Sequence, residues 1–205
     1  MGDVPEPKFN KPDFTDHTGD DYEQGENIVY PKLYYAGIGS RETPIIILKL
    51  FTQIGKYLAN KNYILRSGHA EGADSAFEYG CVMVNGQKEI YLPWKGFGNS
   101  DSNLVVGDPK AYEIAELHHP YWHNLSQGAK KLQARNTHQA LGKDLETPAK
   151  FIICWTKNGK GSGGTGQCLR IAKAYNIPVF DVGCWKYIDD VKKELKLFLI
   201  ENGVS

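Results

Sequence analysis

The sequence predicts a three-layer α/β domain built on a mostly parallel sheet of about five to seven strands. Two observations carry this. From residue 32 onward, short apolar runs alternate with segments of helical period, and most of the strand-like runs give way to glycine or other small residues before a helix begins. The 205 residues are 41% hydrophobic and 23% charged, enough to bury one core.

Leu33-Tyr34-Tyr35-Ala36 reads as the first strand, ending in Gly37-Ile38-Gly39-Ser40. Thr43-Pro44 opens a helix, with Thr43 as N-cap and Pro44 at the first helical position. Ile47, Leu50, Phe51, Ile54, Tyr57 and Leu58 then follow helical spacing. Tyr63-Ile64-Leu65 is the next strand, ending in Arg66-Ser67-Gly68, and a helix follows over 70–84. Glu89–Leu92 is a third strand. Residues 94–108 read as a long loop, of a length that is often functional. Helices follow near 109–119 and 126–142, and Phe151–Trp155 is the clearest buried strand. It runs into Lys157–Gly166, which holds five glycines. A helix over 165–175, a strand at Val179–Asp181 and a helix over 185–201 complete the pattern.

The net charge of zero hides an asymmetry: residues 1–27 hold eight acidic residues and two lysines, leaving the remainder at +6. The acidic segment is expected to be flexible, without a core of its own, and the domain to run over 28–205. A mildly basic body suits an anionic partner. The apolar runs are too short to span a bilayer, and Met1–Glu6 shows no secretory signal, so the expected location is the cytoplasm. Cys81, Cys154, Cys168 and Cys184 are widely spaced, which predicts reduced thiols rather than a disulfide scaffold or a zinc site. The histidines show no metal-ligand spacing, and no Gly-x-Ser-x-Gly elbow occurs. Neither a metal nor a cofactor is expected.

In parallel sheets ligands bind beyond the carboxyl ends of the strands, which directs attention to four segments. In the first, Gly39, Ser40, Arg41 and Thr43 form a small-residue turn before a helix, with Arg41 suited to a bidentate phosphate contact. Glu42 stands where a dinucleotide-binding Gly-x-Gly-x-x-Gly has its last glycine, and no Walker lysine follows. In the second, Arg66, Ser67 and Gly68 end a strand, and Asp74 lies one turn into the next helix. There it can accept from a sugar hydroxyl or from loop amides, or simply favour the helix start. The third holds Arg135 and Asn136 on a helix, Arg135 either reaching a ligand cleft or pairing with a carboxylate. The fourth, Ser162, Gly163, Gly164 and Thr165, is the strongest local signal: a run this poor in side chains suits a backbone cradle for phosphate.

Taken together, Gly39-Ser40-Arg41 with Thr43, Ser67-Gly68-x-Ala70-x-Gly72-x-Asp74, Arg135-Asn136 and Ser162-Gly163-x-Thr165 before Ile177–Phe180 resemble DNA-processing protein A. That family belongs to a wider Rossmann-like nucleotide-binding set that includes the "lonely guy" phosphoribohydrolases, and the longer strings look most like its short stand-alone bacteriophage members. The resemblance implies a Rossmann-like fold and a nucleotide or nucleotide-derived ligand, held and sequestered at the strand ends. It also leaves open single-stranded DNA as partner, and a homo-oligomer. The phosphoribohydrolases follow their glycine loop with a catalytic Glu, whereas here Gln167-Cys168-Leu169-Arg170 follows and no Glu occurs until Glu194. N-glycosidic hydrolysis, whose oxocarbenium-like transition state needs a nearby carboxylate, is therefore the minority reading, with Glu71, Asp74 or Glu78 as substitutes.

Overall fold

The computed structural model describes residues 31–204, so the acidic segment 1–27 and the expected boundary at residue 28 lie outside the described residues. The elements run β1 (Leu33–Gly37), α1 (Ile45–Asn60), β2 (Tyr63–Ser67), α2 (Ala73–Val82), β3 (Lys88–Leu92), β4 (Leu104–Val105), α3 (Pro109–Leu117), α4 (Gln127–Leu141), β5 (Ile152–Cys154), α5 (Gly163–Ala174), β6 (Val179–Asp181) and α6 (Ile188–Glu201). The six strands form one sheet in the order β4-β3-β2-β1-β5-β6, and every pair is parallel.

Strand alternation divides the core in two. Tyr35, Leu65 and Ile153 face one side, where they meet Phe51 of α1, Phe77 of α2 and Leu195 of α6. Ala36, Ile152 and Cys154 face the other, against Ala111 of α3, Ala134 and Leu141 of α4, and Ile171 of α5. Helices thus cover both faces, and the expected three-layer Rossmann-like architecture is present. On the first face Phe51 and Phe77 stack at 4.3 Å between ring centroids. The α1–α2 contact is close because Gly80 has no side chain: a Cβ there would lie 2.0 Å from the Thr52 carbonyl oxygen.

Several boundaries differ from the sequence reading: α2 starts at Ala73 rather than 70, α5 at Gly163 rather than 165 and α6 at Ile188 rather than 185, and three further differences have a visible cause. The 94–108 segment contains β4, a two-residue edge strand that pairs Tyr91 with Leu104 and Leu92 with Val105. Helix α1 starts at Ile45 with Pro44, not Thr43, in the capping position; the Pro44 carbonyl accepts from Ile47 and Leu48, and the Thr43 hydroxyl donates to the Ser40 carbonyl at 2.7 Å. Strand β2 extends through Arg66 and Ser67, because β3 continues the ladder opposite them.

His138 in α4 is buried, stacked on Tyr91 at 5.4 Å and bonded through Nδ1 to the Gly142 carbonyl at 2.9 Å. Burial holds its pKa below the ordinary 6.5, against the opposing pull of the Gly142 contact. The unfolded chain therefore takes up this proton first as pH falls, so the contribution is intact above about pH 6.5 and lost below it. The melting temperature is expected to drop between pH 7.5 and 5.5, and His138→Gln to flatten that slope. Identical slopes in the two proteins would remove His138 as a cause, leaving His118 and His119, which burial also lowers.

Candidate functional site

The strand order reverses between β1 and β5, so the loops leaving these strands diverge and open a crevice at their carboxyl ends. A cavity of about 430 Å³ lies there. The β1–α1 loop contributes Ile38, Gly39, Ser40, Arg41 and Glu42 to its wall. The start of α2 contributes Asp74, and the first turns of α5 with their cap contribute Ser162, Gly163, Gly164 and Thr165. Helix α4 adds Leu132, Gln133, Arg135, Asn136 and Gln139.

Ten of the residues singled out from sequence thus come together: Gly39, Ser40, Arg41, Asp74, Arg135, Asn136, Ser162, Gly163, Gly164 and Thr165. The other four stand behind the wall. Thr43 is buried in the turn described above. Arg66 lies in the sheet, 2% exposed, with Nε bonded to Glu89 at 2.8 Å, Nη1 bonded to the Thr147 carbonyl at 2.5 Å and its guanidinium 3.7 Å from the Tyr34 ring. The Ser67 hydroxyl donates to the Gly37 carbonyl at 2.6 Å, tying β2 to β1. Gly68 makes room: a Cβ there would fall 1.1 Å from Nη1 of Arg135.

Arg135 and Asp74 form the electrostatic centre. They are 5% and 3% exposed, and Nη1 of Arg135 donates to Oδ2 of Asp74 at 3.1 Å. Asp74 also accepts from the Gly39 amide at 3.2 Å and from Gln139 Nε2 at 3.4 Å. Burial raises the Asp74 pKa against the pull of Arg135 and of the Gly39 and Ala70 amides. A carboxylate with donors on both oxygens holds the β1 loop and Arg135 in register, which is the loop-amide role among those open from sequence. Nε of Arg135 is buried and has no partner among the described residues. An unmet charged donor on a cavity wall is costly unless a ligand supplies the acceptor.

The glycine loop is held from below. The Thr156 hydroxyl donates to Oδ2 of Asp181 and accepts from the Gly161 amide at 3.0 Å, while the Thr156 amide donates to Oδ1 of Asp181 at 2.9 Å. This fixes the entry to α5, whose first-turn N–H groups have no intrahelical acceptor and lie at the cavity. Asn136 Nδ2 donates to the Gly164 carbonyl at 3.0 Å, joining α4 to α5. Gly164 itself answers no packing demand: a Cβ there would meet only Asn136 Nδ2, at 3.9 Å. The missing side chain leaves cavity space open.

The sequence reading did not single out Gln133, Gln139 or the brace at Asp181. A signal existed for Gln139 alone: it shares one stripe of α4 with Leu132, Arg135 and Asn136, although polar residues on such a stripe suit solvent as well as a lined cavity. Cys168 also reaches the wall, but its buried thiol is pushed up to about 12 and contacts the Asn136 carbonyl at 3.6 Å, so it stays protonated near neutral pH. Of the substitute carboxylates, Glu78 is turned to His69 and Lys88 at 2.6 and 2.5 Å. All four cysteines are free, and no helix among the described residues is long and apolar enough to cross a membrane.

No protein family and no curated protein matches the chain. Among solved structures, the Moco carrier protein of Chlamydomonas rheinhardtii is similar with a TM-score of 0.50 at 16% identity, covering 85% of this chain and 87% of that one. DNA processing protein A from Streptococcus pneumoniae is similar with a TM-score of 0.48 at 17% identity, covering 85% and 58%. DNA processing protein A from Helicobacter pylori, solved for its single-stranded DNA binding mode, is similar with a TM-score of 0.48 at 18% identity, covering 84% and 74%. At these identities the likeness concerns the fold. It agrees with the Rossmann-like architecture that the resemblance implied, and leaves the bacteriophage relationship an expectation.

Proposed function

We propose that the protein binds a phosphate-bearing nucleotide, or a nucleotide-derived signal, in the cavity between β1 and β5 and sequesters it. The observation that carries this reading is the unpartnered Nε of buried Arg135, a residue that lines the same cavity as the open first turn of α5 and as Gly164, which has no packing reason to be glycine. Charged guanidinium, helix-start amides and two free hydroxyl residues, Ser162 and Thr165, make one anion-accepting surface. The volume of about 430 Å³ suits a small ligand. Asp74, the one of the substitute carboxylates that lines the cavity, is engaged by its donors, which favours holding a ligand over cleaving it. Within this reading the ligand is met in the cytoplasm.

Single-stranded DNA is the competing ligand, favoured by the exposed Trp94 and Tyr121 at 41% and 69%. Native mass spectrometry of the purified protein is expected to detect a co-purified nucleotide. Arg41→Ala and Thr165→Ala are each expected to weaken nucleotide affinity in calorimetry, the arginine change by about 1.5–3 kcal/mol. Raising the salt concentration separates the ligands, since an oligonucleotide releases several counterions and a compact nucleotide few. Tight, steeply salt-dependent oligonucleotide binding with no mononucleotide binding would overturn the proposal.

A further inference from the structure

We infer that Phe97, braced by Trp94, is a stacking platform for the aromatic base of the ligand, a step that rests on the nucleotide reading above. The two rings meet edge to face at 5.2 Å, and neither belongs to either hydrophobic core. Core packing therefore does not explain them. They sit in the connection leaving the carboxyl end of β3, on the same edge of the sheet as the cavity. The Phe97 ring centroid lies 6.0 Å from Cζ of Arg135, so the ring stands next to the cation of the cavity wall, just outside the cavity, which neither Phe97 nor Trp94 lines. Trp94 remains 41% exposed.

The turn that carries Phe97 is fixed rather than loose. Gly98, at φ +60°, packs on the His69 ring, with a Cβ position 3.0 Å from His69 Cδ2. His69 itself holds a left-handed backbone at φ 55°, and its ring is pinned by Glu78 at 2.6 Å, which Lys88 pairs at 2.5 Å. On the other side the Ser102 hydroxyl donates to the Ile90 carbonyl at 2.6 Å. A residue in a strained backbone conformation whose side chain is held by an ion-paired carboxylate marks a built element. What this one positions is an aromatic ring 6.0 Å from the guanidinium of Arg135. A fixed ring stacks a planar base with little ordering cost, whichever base it is.

The test compares ligands with and without a base. The four nucleoside 5′-monophosphates and ribose 5-phosphate are titrated into the full chain, Phe97→Ala and Phe97→Tyr by calorimetry, with melting curves as a folding control. Phe97→Ala is expected to lose roughly tenfold or more in affinity for the nucleotides and less than about twofold for ribose 5-phosphate, and Phe97→Tyr to restore nucleotide binding. Equal nucleotide affinity in Phe97→Ala and the unaltered protein would overturn the platform while leaving the cavity reading standing. So would ribose 5-phosphate binding as tightly as every nucleotide. If the unaltered protein binds none of the five, the cavity reading falls, and the platform with it.

Discussion

Replacing Arg135 by leucine is expected to lower the unfolding free energy by about 3–5 kcal/mol and to abolish nucleotide binding. The side chain is 5% exposed and lies against Asp74, itself 3% exposed. Removing the guanidinium strands a carboxylate in low dielectric with amides alone, those of Gly39, Ala70 and the more distant Gln139, to hold its charge. The stability loss corresponds to a melting temperature lower by roughly 10 °C for a chain of this size. Urea unfolding of Arg135→Leu, Asp74→Asn and the double variant separates the parts. The asparagine carries no charge, so the double variant is expected to recover part of what Arg135→Leu loses in stability and none of what it loses in binding. An Arg135→Leu protein as stable as the unaltered one would show that Asp74 stays solvated when its partner is gone, contrary to its burial. Recovery of binding in the double variant would show that Arg135 serves only to neutralise Asp74 and contacts no ligand.

The alternation of period along the chain announced the sheet and its flanking helices because each strand faces two apolar layers and each helix one. Where a different physical rule governs, the sequence is silent. Leu104–Val105 pairs at the sheet edge over two residues, too few for any period to register. Arg66 and Ser67 looked like loop residues because charge and small size are rare in a buried strand. What keeps them in the sheet is a cross-strand partner: Arg66 stands opposite Glu89 in the β2–β3 register and bonds to it at 2.8 Å. A buried arginine satisfied by a carboxylate 23 positions away has no local signature.

The site shows the same division. Small residues after β1 and before α5 were visible because a close backbone approach leaves glycine in the sequence. Of the face that α4 turns inward, Arg135 and Asn136 were visible but Gln133 and Gln139 were not, since polar residues on a helix suit solvent equally well and only packing against α5 decides. Asp74 illustrates the limit. Sequence placed it one turn into a helix with three roles open. The Gly39 amide at 3.2 Å and Arg135 at 3.1 Å select the loop-tying role, and both partners are more than 30 residues away.

Gly164→Leu is expected to reduce nucleotide affinity by more than about 100-fold while leaving the fold intact or slightly more stable. Gly164 lies in the first turn of α5 outside the left-handed region, so leucine adopts its backbone without strain. A leucine in a helix is preferable to a glycine by up to about 1 kcal/mol. A Cβ at this position meets only Asn136 Nδ2, at 3.9 Å, so the added side chain enters the cavity rather than the core. There it occupies the space next to the helix-start amides and Arg135, and a hundredfold loss corresponds to about 2.7 kcal/mol of lost phosphate contacts. Gly128→Leu supplies the matched control. It makes the same change in the first turn of α4, where nothing lies within 4 Å of the added Cβ, at a position that does not line the cavity. Both variants are expected to melt at or above the temperature of the unaltered protein, and only Gly164→Leu to lose the nucleotide in calorimetry. Equal affinity in the two variants would place the ligand elsewhere on the protein and leave the glycine at 164 without a function. A melting temperature that falls in Gly164→Leu alone would mean that the first turn of α5 packs against structure that a Cβ disturbs, and the loss of binding would then carry no information about the cavity.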